Sequence, residues 1–344
     1  MRLYVKKAII ILLCICLIGT LFTGCRYRFS IGNEARILRE EDAREYNIEK
    51  SAEDIITQID INTSIAEVEL IPSDNYYVEI NYLYWDEEPE YTLKDGKLYF
   101  NDSNAMPNSY SINFNLENTI KVYLPDNAEL SRLSVENSSG NVKLSGFVAK
   151  EMNVTVSYGN LALKQAAAEE AKIELSSGNS TIDNFQTGNM EFTNSYGNAE
   201  FSNMNTGEAR LPKDVAYDKI DISMSSGSAD LEKINCSTLE LNNSYGNITC
   251  REIKADKLDA GLSSGDLKVS KSDITDIEAE NSYGDVNLSL IGPESDYSLD
   301  LDTSYGHLQV GDKKYEEHLV TDNAGTRNIS ASLSSGNVRI EFYE

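Results

Sequence analysis

The sequence predicts an all-β protein: a single-stranded parallel β-solenoid of about 19 residues per turn, with irregular N-terminal β coils. The tripeptide Ser-Ser-Gly or Ser-Tyr-Gly recurs ten times, and six of the nine spacings between its glycines are 19 residues. A repeat of that length is too short for a helix pair and suits one turn of a solenoid. The turn glycines, which we interpret as structural, are Gly140, Gly159, Gly178, Gly197, Gly227, Gly246, Gly265, Gly284, Gly306 and Gly336.

Apolar and polar residues alternate on both sides of each glycine. The positions seven and five residues before it are apolar in every repeat, as at Leu133 and Val135. The second and fourth positions after it mostly continue the alternation, which predicts two strands with one buried face each. A further apolar pair, for example Phe147 with Ala149, predicts a third short segment in each turn. Such short faces bury side chains only when the turns stack.

The glycine marks the point where the apolar register shifts, so we expect the chain to bend there with a positive φ. Asn or Asp follows the glycine in eight of the ten repeats. We expect these side chains to bond to the turn backbone, or to one another as a ladder along the stack. Calcium binding is the alternative, but the glycine-rich, aspartate-bearing nonapeptide of calcium-loaded β-rolls is missing. We therefore predict no metal site and no cofactor.

The residue before the glycine alternates between Ser and Tyr in the first eight repeats, which makes the larger repeat 38 residues long. Where it is Tyr, the residue three before the glycine is mostly Asn; where it is Ser, that residue is mostly large and apolar. We favour a packing interpretation, in which Leu with Ser or Asn with Tyr fills one corner and the phenol ring is partly buried. The alternative is an outward row on which sugars or extended chains could stack. The candidate surface or ligand residues are Tyr158, Tyr196, Tyr245, Tyr283 and Tyr305, and the last one breaks the alternation along the sequence.

The N-terminus has the features of a bacterial export signal. Three bases precede an apolar run over residues 8–22, and the sequence Leu21-Phe22-Thr23-Gly24-Cys25 resembles a lipobox, in which the signal is removed before the cysteine and its thiol carries diacylglycerol. Phe22 departs from the usual Leu, and an uncleaved membrane anchor is the alternative, although the run is short for a membrane span. We predict a lipoprotein signal peptide at 1–24, lipid attachment at Cys25, and a location on the outer face of the bacterial cell membrane.

Composition changes define the remaining segments. Residues 25–55 are charged and predict a tether, residues 56–130 predict irregular β coils that cap the stack, and residues 131–344 form the repetitive solenoid. Two long spacings each add 11 residues at the same point of the repeat, which predicts loops at about 203–217 and 312–327. These loops carry an unusual share of the bases, and they are either a second candidate surface or tolerated insertions. Their candidate residues are Arg210, Lys213, Lys313 and Lys314.

Charge and rare residues exclude several classes of function. The formal net charge of −26 makes nucleic acid and bare anionic lipid poor partners. With only His307 and His318 in the chain, no metal set or Ser-His-Asp arrangement can be assembled, so we predict no enzyme. A carbohydrate-active enzyme that uses paired carboxylates is the alternative. Cys236 and Cys250 fall in core positions, and we favour two buried thiols over a disulfide.

The repeats resemble a known family. The segments Val122-Tyr123-Leu124-Pro125-Asp126 and Leu133-Ser134-Val135-Glu136-Asn137-Ser138-Ser139-Gly140-Asn141-Val142 are similar to the bacterial "putative adhesin" domain of unknown function, which is related to auto-transporter adhesin-like heads. The resemblance covers about 56–344 and implies a β-solenoid in exported or membrane-attached proteins, with no catalytic residues to transfer. Our leading hypothesis is a lipid-anchored surface domain that binds an envelope glycan or protein. A structural envelope or stress-response accessory protein is the remaining alternative.

Overall fold

The computed structural model describes residues 36–52, 54–107, 110–112, 116–323 and 325–343. The predicted export signal and Cys25 lie outside these residues. The all-β class is confirmed, because the described residues form 27 strands and only two short 3₁₀ helices, Glu40–Asp42 and Glu294–Asp296. None of the helices in the described ranges is long and apolar enough to cross a membrane.

The strands follow one another closely along the chain. They are β1 (Arg36–Leu38), β2 (Arg44–Ser51), β3 (Gln58–Thr63), β4 (Glu67–Ser73), β5 (Tyr77–Tyr84), β6 (Glu90–Lys94), β7 (Lys97–Asn101), β8 (Tyr110–Ile112), β9 (Thr119–Pro125), β10 (Ala128–Ser139), β11 (Val142–Ser145), β12 (Phe147–Tyr158), β13 (Leu161–Ser177), β14 (Ser180–Asn194), β15 (Ala199–Met204), β16 (Lys219–Ser226), β17 (Ala229–Tyr245), β18 (Ile248–Arg251), β19 (Lys254–Ser264), β20 (Leu267–Tyr283), β21 (Val286–Ile291), β22 (Tyr297–Thr303), β23 (Leu308–Val310), β24 (Lys313–Tyr315), β25 (His318–Thr321), β26 (Arg327–Ser335) and β27 (Val338–Tyr343).

The chain divides into two compact units. Of the described residues, the smaller unit contains 36–43, 107 and 110–112, and within it β1 pairs in parallel with β8. The larger unit comprises the described residues of 44–106 and 116–344 and contains all the remaining strands. The repeats and all the candidate surface residues belong to the larger unit.

Parallel pairing joins each repeat to the next at the period that the sequence predicts. Val154 in β12 pairs with Ile173 in β13, and Ile173 pairs with Phe192 in β14, so that equivalent residues of successive repeats are neighbours. We call one such repeat, with its strand segments, a coil. Like residues therefore stack on like, and the columns of apolar residues form a continuous buried core. The aromatic pair Phe192 and Phe201 shows the packing within a coil, with ring centroids 5.0 Å apart in an edge-to-face arrangement.

Besides the corner at the turn glycine, most coils bend a second time six residues later. The residue at this second corner has a left-handed backbone conformation, and its type varies from coil to coil. The φ angle is +76° at Gly146, +50° at Gln165, +52° at Asn184 and +56° at Lys233. A left-handed conformation in a residue with a Cβ costs on the order of 1 kcal/mol, which the surrounding ladder must offset. Because these residues share no side-chain chemistry, the sequence did not indicate this corner.

The N-terminal end of the stack does not follow chain order. Strand β3 lies between β7 and β10, and β4 lies between β9 and β11, all in parallel. The outermost coil is therefore formed by β7 and β9, which come later in the sequence than the coil beneath them. Antiparallel strands cover its edges, because β6 pairs with β7 and β5 pairs with β9. The predicted cap over 56–130 thus holds one regular coil, 58–73, as well as irregular elements.

The predicted tether is wrong for residues 44–51. They form β2, which pairs antiparallel with β5 along its whole length. The physical reason is that the charged side chains of this segment can face solvent while its backbone satisfies the exposed edge of β5. The composition of this segment indicated its charged, solvent-facing side chains. It did not indicate that its backbone pairs with β5.

A buried carboxylate joins the coil formed by β3 and β4 to the outermost coil, formed by β7 and β9. Asp102 is 1% exposed and accepts hydrogen bonds from the Thr63 hydroxyl at 2.7 Å, from the Ser64 backbone N–H and hydroxyl, and from the Tyr82 hydroxyl. Burial, followed by the nearby Asp102 charge, raises the pKa of Tyr82 well above its ordinary value, so its hydroxyl stays a donor. Donors on several sides compensate the desolvation of this carboxylate.

The C-terminal end also departs from chain order. Strand β26 lies between β20 and β22, and β27 lies between β21 and β23. The last coil in the sequence is therefore inserted beneath the one that precedes it. Within the predicted loop 312–327, β24 and β25 pair antiparallel with β23 and β22. This insertion thus seals the end of the stack.

Candidate binding surface

An exposed row of tyrosines runs along the glycine corner of the larger unit. Its members come from the position before the glycine and are 66–80% exposed. They are Tyr158, Tyr196, Tyr245, Tyr283 and Tyr305, which we call the tyrosine row. The packing interpretation of the sequence is therefore wrong, and the outward arrangement that was its alternative is the one observed.

The side chain three residues before the glycine fills the buried part of this corner, so the tyrosine ring does not have to pack there. Asn194 is 1% exposed, and its Nδ2 donates to the carbonyl oxygen of Gly178 at 3.0 Å. Asn243 and Asn281 make the same bond to Gly227 and Gly265 at 2.9 and 2.8 Å. The asparagine thus fills the inner position by itself and satisfies a backbone carbonyl of the previous coil. Leu175, Leu262 and Leu333 occupy this position in other coils and are also buried.

Serine and tyrosine alternate without exception in space. Tyr283 pairs in register with Ser335, and the Tyr305 carbonyl oxygen accepts a hydrogen bond from the N–H of Gly336. The inserted last coil therefore places Ser335 between Tyr283 and Tyr305, two tyrosines that are consecutive along the sequence pattern. Along the stack the ten residues are Ser139, Tyr158, Ser177, Tyr196, Ser226, Tyr245, Ser264, Tyr283, Ser335 and Tyr305. With coils about 4.8 Å apart, neighbouring tyrosines are about 9.6 Å apart.

The predicted Asn/Asp ladder is confirmed on one side of the row. The Asn141 Oδ1 accepts the Asn160 backbone N–H at 3.0 Å, and Asn160 accepts that of Asn179 in the same way. Near the other end, Asp266 accepts the N–H of Asp285 at 2.9 Å. Each side chain bonds to the coil above it, so the ladder straightens the corner that carries the row. On the other side of the row, the residue two before the glycine is Ser in all ten coils.

The turn glycines allow the coils to stack closely at this corner. Gly265 has φ +130°, and a Cβ placed on it would lie 2.1 Å from the carbonyl oxygen of Gly246. No side chain fits that space, and an L-residue with a Cβ rarely adopts this φ. Nine of the ten turn glycines have the expected positive φ, and Gly306, which does not, still lies against the Gly336 carbonyl oxygen. The close approach therefore supports the structural interpretation at Gly306 as well.

The charged face beside the row carries five stacked carboxylates. Glu191, Asp221, Glu240, Asp259 and Glu278 pair in register on successive coils. Like charges opposite each other are destabilising, and lysines offset part of the repulsion. The Lys219 Nζ lies 2.7 Å from Glu240, and this hydrogen bond is the largest cause of the raised pKa of Lys219. Lys257 bridges Asp259 and Glu278 at 3.3 and 3.1 Å.

The two basic loops do not join the tyrosine row in one site. The Arg210 backbone N–H donates to the buried Gln186 at 2.6 Å, and the loop around it overhangs an open groove of about 920 Å³ that no row tyrosine lines. Lys213, in the same loop, is exposed and is not among the groove residues. Lys313 and Lys314 belong to β24, and the Lys313 Nζ lies 3.7 Å from Glu294. The second loop thus has a structural role at the end of the stack.

The described residues contain no group of three or more His, Cys, Asp or Glu side chains placed to hold a metal ion. His307 lies at the glycine corner, and the His318 Nδ1 lies 3.3 Å from Asp302 in the capping strands. Cys236 and Cys250 are free and buried, as favoured from the sequence. Burial, with a smaller effect of nearby Asp charges, raises the pKa of each thiol to about 12, so both remain protonated at neutral pH.

A family model matches almost all of this repetitive unit, over residues 56–211 and 213–341. The chain belongs to the Toastrack DUF4097 family. The family and the all-β fold that the repeated motif indicated are thereby confirmed for this Toastrack protein. No curated protein matches the chain significantly.

Three solved bacterial structures are similar to this Toastrack chain at low identity. A "putative lipid binding protein" of Parabacteroides distasonis is 13% identical with a TM-score of 0.39, over 86% of this chain and 96% of that one. A "putative cell adhesion protein" of Clostridium sporogenes is 13% identical with a TM-score of 0.19, over 87% and 100%. A "putative adhesin" of Bacteroides fragilis is 11% identical with a TM-score of 0.34, over 86% and 97%. Likenesses at this level transfer no function to the Toastrack chain.

Proposed function

We propose that this protein is a lipid-anchored, non-catalytic β-solenoid of the bacterial cell surface that acts as an adhesin-like binding or scaffolding domain. In this proposal the repeat is a single-stranded parallel solenoid of about 19 residues per turn, and the tyrosine row is its recognition surface. The observation that carries the proposal is the exposure of five aromatic rings in one line, because solvent-exposed aromatic side chains that serve no packing role are typical of binding surfaces.

The row has the properties of a recognition surface for extended partners. The backbone positions of its tyrosines are held at a fixed spacing by the backbone ladder and the Asn/Asp ladder, so a partner has to order only the side chains. Tyrosine offers an apolar face and a hydroxyl, which suit both glycans and proteins. The acidic face beside it disfavours nucleic acid and anionic lipid as partners.

Liposomes that carry the full-length chain provide the test of binding. Their retention on purified cell envelopes, and on surfaces coated with the same chain, is compared with that of Tyr196→Ser/Tyr245→Ser/Tyr283→Ser. We expect retention to fall by at least about tenfold in the variant, since exposed aromatic anchors carry much of the free energy of binding. Equal retention of both proteins, or none on any of these surfaces, would contradict the proposed function.

Mass spectrometry of the mature N-terminus tests the anchoring separately. A diacylglycerol-modified Cys25 as the first residue supports the lipoprotein assignment. An intact Met1 rejects it and favours an uncleaved membrane anchor.

A further inference from the structure

The order of residues along the tyrosine row makes it complementary to itself. The row has ten levels, which begin with Ser139 and end with Tyr305 and alternate throughout. A second copy that runs in the opposite direction places Ser opposite Tyr at every level, because the number of levels is even. Ser139 then faces Tyr305, and Ser226 faces Tyr245, about a twofold axis at the middle of the row.

We propose that the partner of the tyrosine row is a second copy of this chain, docked antiparallel so that the tyrosines of each copy fill the serine gaps of the other. This inference rests on the proposed function of the row as a binding surface and names its partner. It also gives a role to the inserted last coil, which supplies Ser335 as the gap between Tyr283 and Tyr305.

The spacing of the rings suits interleaving. Tyrosines of one copy are about 9.6 Å apart, so a partner ring halfway between two of them lies about 4.8 Å from each. Aromatic pairs prefer centroid separations of about 4.5–7 Å, in offset or tilted arrangements. A parallel arrangement in the same register would instead oppose Tyr to Tyr at every second level and leave empty gaps between them.

The available area reaches that of a stable interface. Each tyrosine residue is at least 66% exposed, which leaves on the order of 150 Å² per tyrosine and about 750 Å² per copy for the five residues. The sum of about 1,500 Å² for two copies lies within the range of specific protein–protein interfaces. The flanking serines and the Asn/Asp ladder would form its polar rim.

The charges nearest the row permit the antiparallel arrangement. The twofold axis brings each flanking column against the same column of the partner, so Asp266 faces Asn198 and Asp285 faces Asn179. No carboxylate of the ladder meets another one. Farther from the row, Glu136 faces Asp302 and Glu174 faces Glu280, and both copies are strongly acidic. Added salt therefore strengthens the dimer, and so does Glu174→Gln.

Sedimentation equilibrium of the full-length chain in a density-matched detergent tests the stoichiometry. We expect two copies per particle for the native chain and for Tyr343→Ser, an exposed tyrosine outside the row. The emptied row, Tyr196→Ser/Tyr245→Ser/Tyr283→Ser, is expected to be a single copy over at least about a 100-fold range of concentration. A native chain that stays a single copy overturns the proposal.

A filled row separates interleaving from general aromatic adhesion. In Ser177→Tyr/Ser226→Tyr/Ser264→Tyr the aromatic area increases while three of the five serine gaps are filled. We expect loss of the dimer, with an unchanged melting temperature at a concentration where both proteins are single copies. A filled row that still dimerises overturns the interleaved arrangement. If the native chain is a single copy and the filled row binds an envelope glycan more tightly, the second-copy inference fails while the proposed binding function stands.

Disulfide trapping tests the antiparallel direction. Residues 139 and 305 lie nine levels apart, about 43 Å along the stack, so a parallel dimer in the same register would keep cysteines at these two positions of opposite chains too far apart to bond. Mixing the Ser139→Cys chain with the Tyr305→Cys chain under mild oxidation is expected to give the mixed disulfide. Disulfides formed only within each chain population would show a parallel arrangement and overturn the proposal. Cys236 and Cys250 do not compete, because both are buried.

Discussion

The Asp285 carboxylate accepts the backbone N–H of Asn337 at 2.8 Å, across 52 residues of chain. In the rest of the Asn/Asp ladder, the equivalent bond joins residues 19 or 30 apart. This contact shows that the last coil occupies an interior level of the stack and meets a coil on each side. Its stability therefore depends on two interfaces where an end coil would have one.

Ile329→Ala is expected to destabilise the whole C-terminal end. Ile329 is 1% exposed and pairs in register with Ile277 below and Leu299 above, so the cavity would affect three coils. We expect the free energy of unfolding to fall by about 2–5 kcal/mol, measured by denaturant unfolding. Val320→Ala is the control, because Val320 is 60% exposed and should cost much less. Equal effects of the two changes would argue against an interior position for this coil.

Asn281→Ala should measure how much the buried asparagine side chain contributes to the free energy of unfolding. The Asn281 Nδ2 donates to the Gly265 carbonyl oxygen at 2.8 Å, and its Oδ1 accepts the Tyr283 N–H at 3.2 Å. Removing the amide leaves both backbone groups without this partner, at a cost of about 1–3 kcal/mol in thermal or urea unfolding. Asn242→Ala, at an exposed neighbouring position, is expected to change stability by less than about 0.5 kcal/mol. A neutral Asn281→Ala would mean that the inner column needs no polar contact.

Gly265→Ala is expected to prevent normal stacking at its level. The new Cβ would lie 2.1 Å from the Gly246 carbonyl oxygen, so the backbone of two coils must separate. We expect a loss of more than about 4 kcal/mol or failure to fold, measured by circular dichroism during heating. Gly207→Ala is the matched control, since it shares a positive φ of +78° but meets no atom within 4 Å, and it should cost about 1 kcal/mol. Similar losses of stability at both sites would mean that the positive φ, and not the close approach of the two coils, causes the effect.

Emptying the tyrosine row should leave the fold intact. The variant Tyr196→Ser/Tyr245→Ser/Tyr283→Ser changes residues that are 66–67% exposed, and Ser occupies the same position in alternate coils. We expect each substitution to alter the free energy of unfolding by no more than about 0.5 kcal/mol, as seen in the melting temperature at a concentration where the chain is a single copy. A large fall would restore a packing role for these rings.

Stability should decline at alkaline pH because of the two buried thiols. Burial raises the pKa of Cys236 and Cys250 from 9.0 to about 12, so above pH 9 the unfolded chain releases protons that the folded chain retains. Their contribution is complete below pH 9 and is lost as pH rises towards 12, at up to about 1.4 kcal/mol per pH unit for each thiol. Denaturant midpoints between pH 8 and 11 measure the slope. Cys236→Ala/Cys250→Val, which copies the residues one coil above, should flatten it, and an unchanged slope would exclude the thiols as its source.

The sequence predicted much of the repeat because each buried column has a single chemical character. Positions equivalent to Leu133 are apolar in every coil, and the glycines mark a corner that tolerates no Cβ. The order of coils at the two ends was not predictable in this way, since Ile329 fits the column equally well at any level. The outward direction of Tyr196 was not predictable from the conserved volume of the residue pair, because Asn194 is buried without help from the tyrosine and its Nδ2 donates to the Gly178 carbonyl oxygen. The one feature of the sequence that indicates the changed order of the last coils is Tyr305, which follows Tyr283 in the pattern where Ser would be expected.

The insertion of β26 and β27 between earlier coils has a consequence for folding during synthesis. A repeat stack ordinarily grows from nearest neighbours, so each coil can dock as soon as it leaves the ribosome. Residues 297–310 have no such template, because the surface on which they rest is built from residues 327–343. These 47 positions, 297–343, must therefore assemble as one cooperative block, and until the strand that ends at Tyr343 is delivered the growing stack presents the bare edge of β20 and β21.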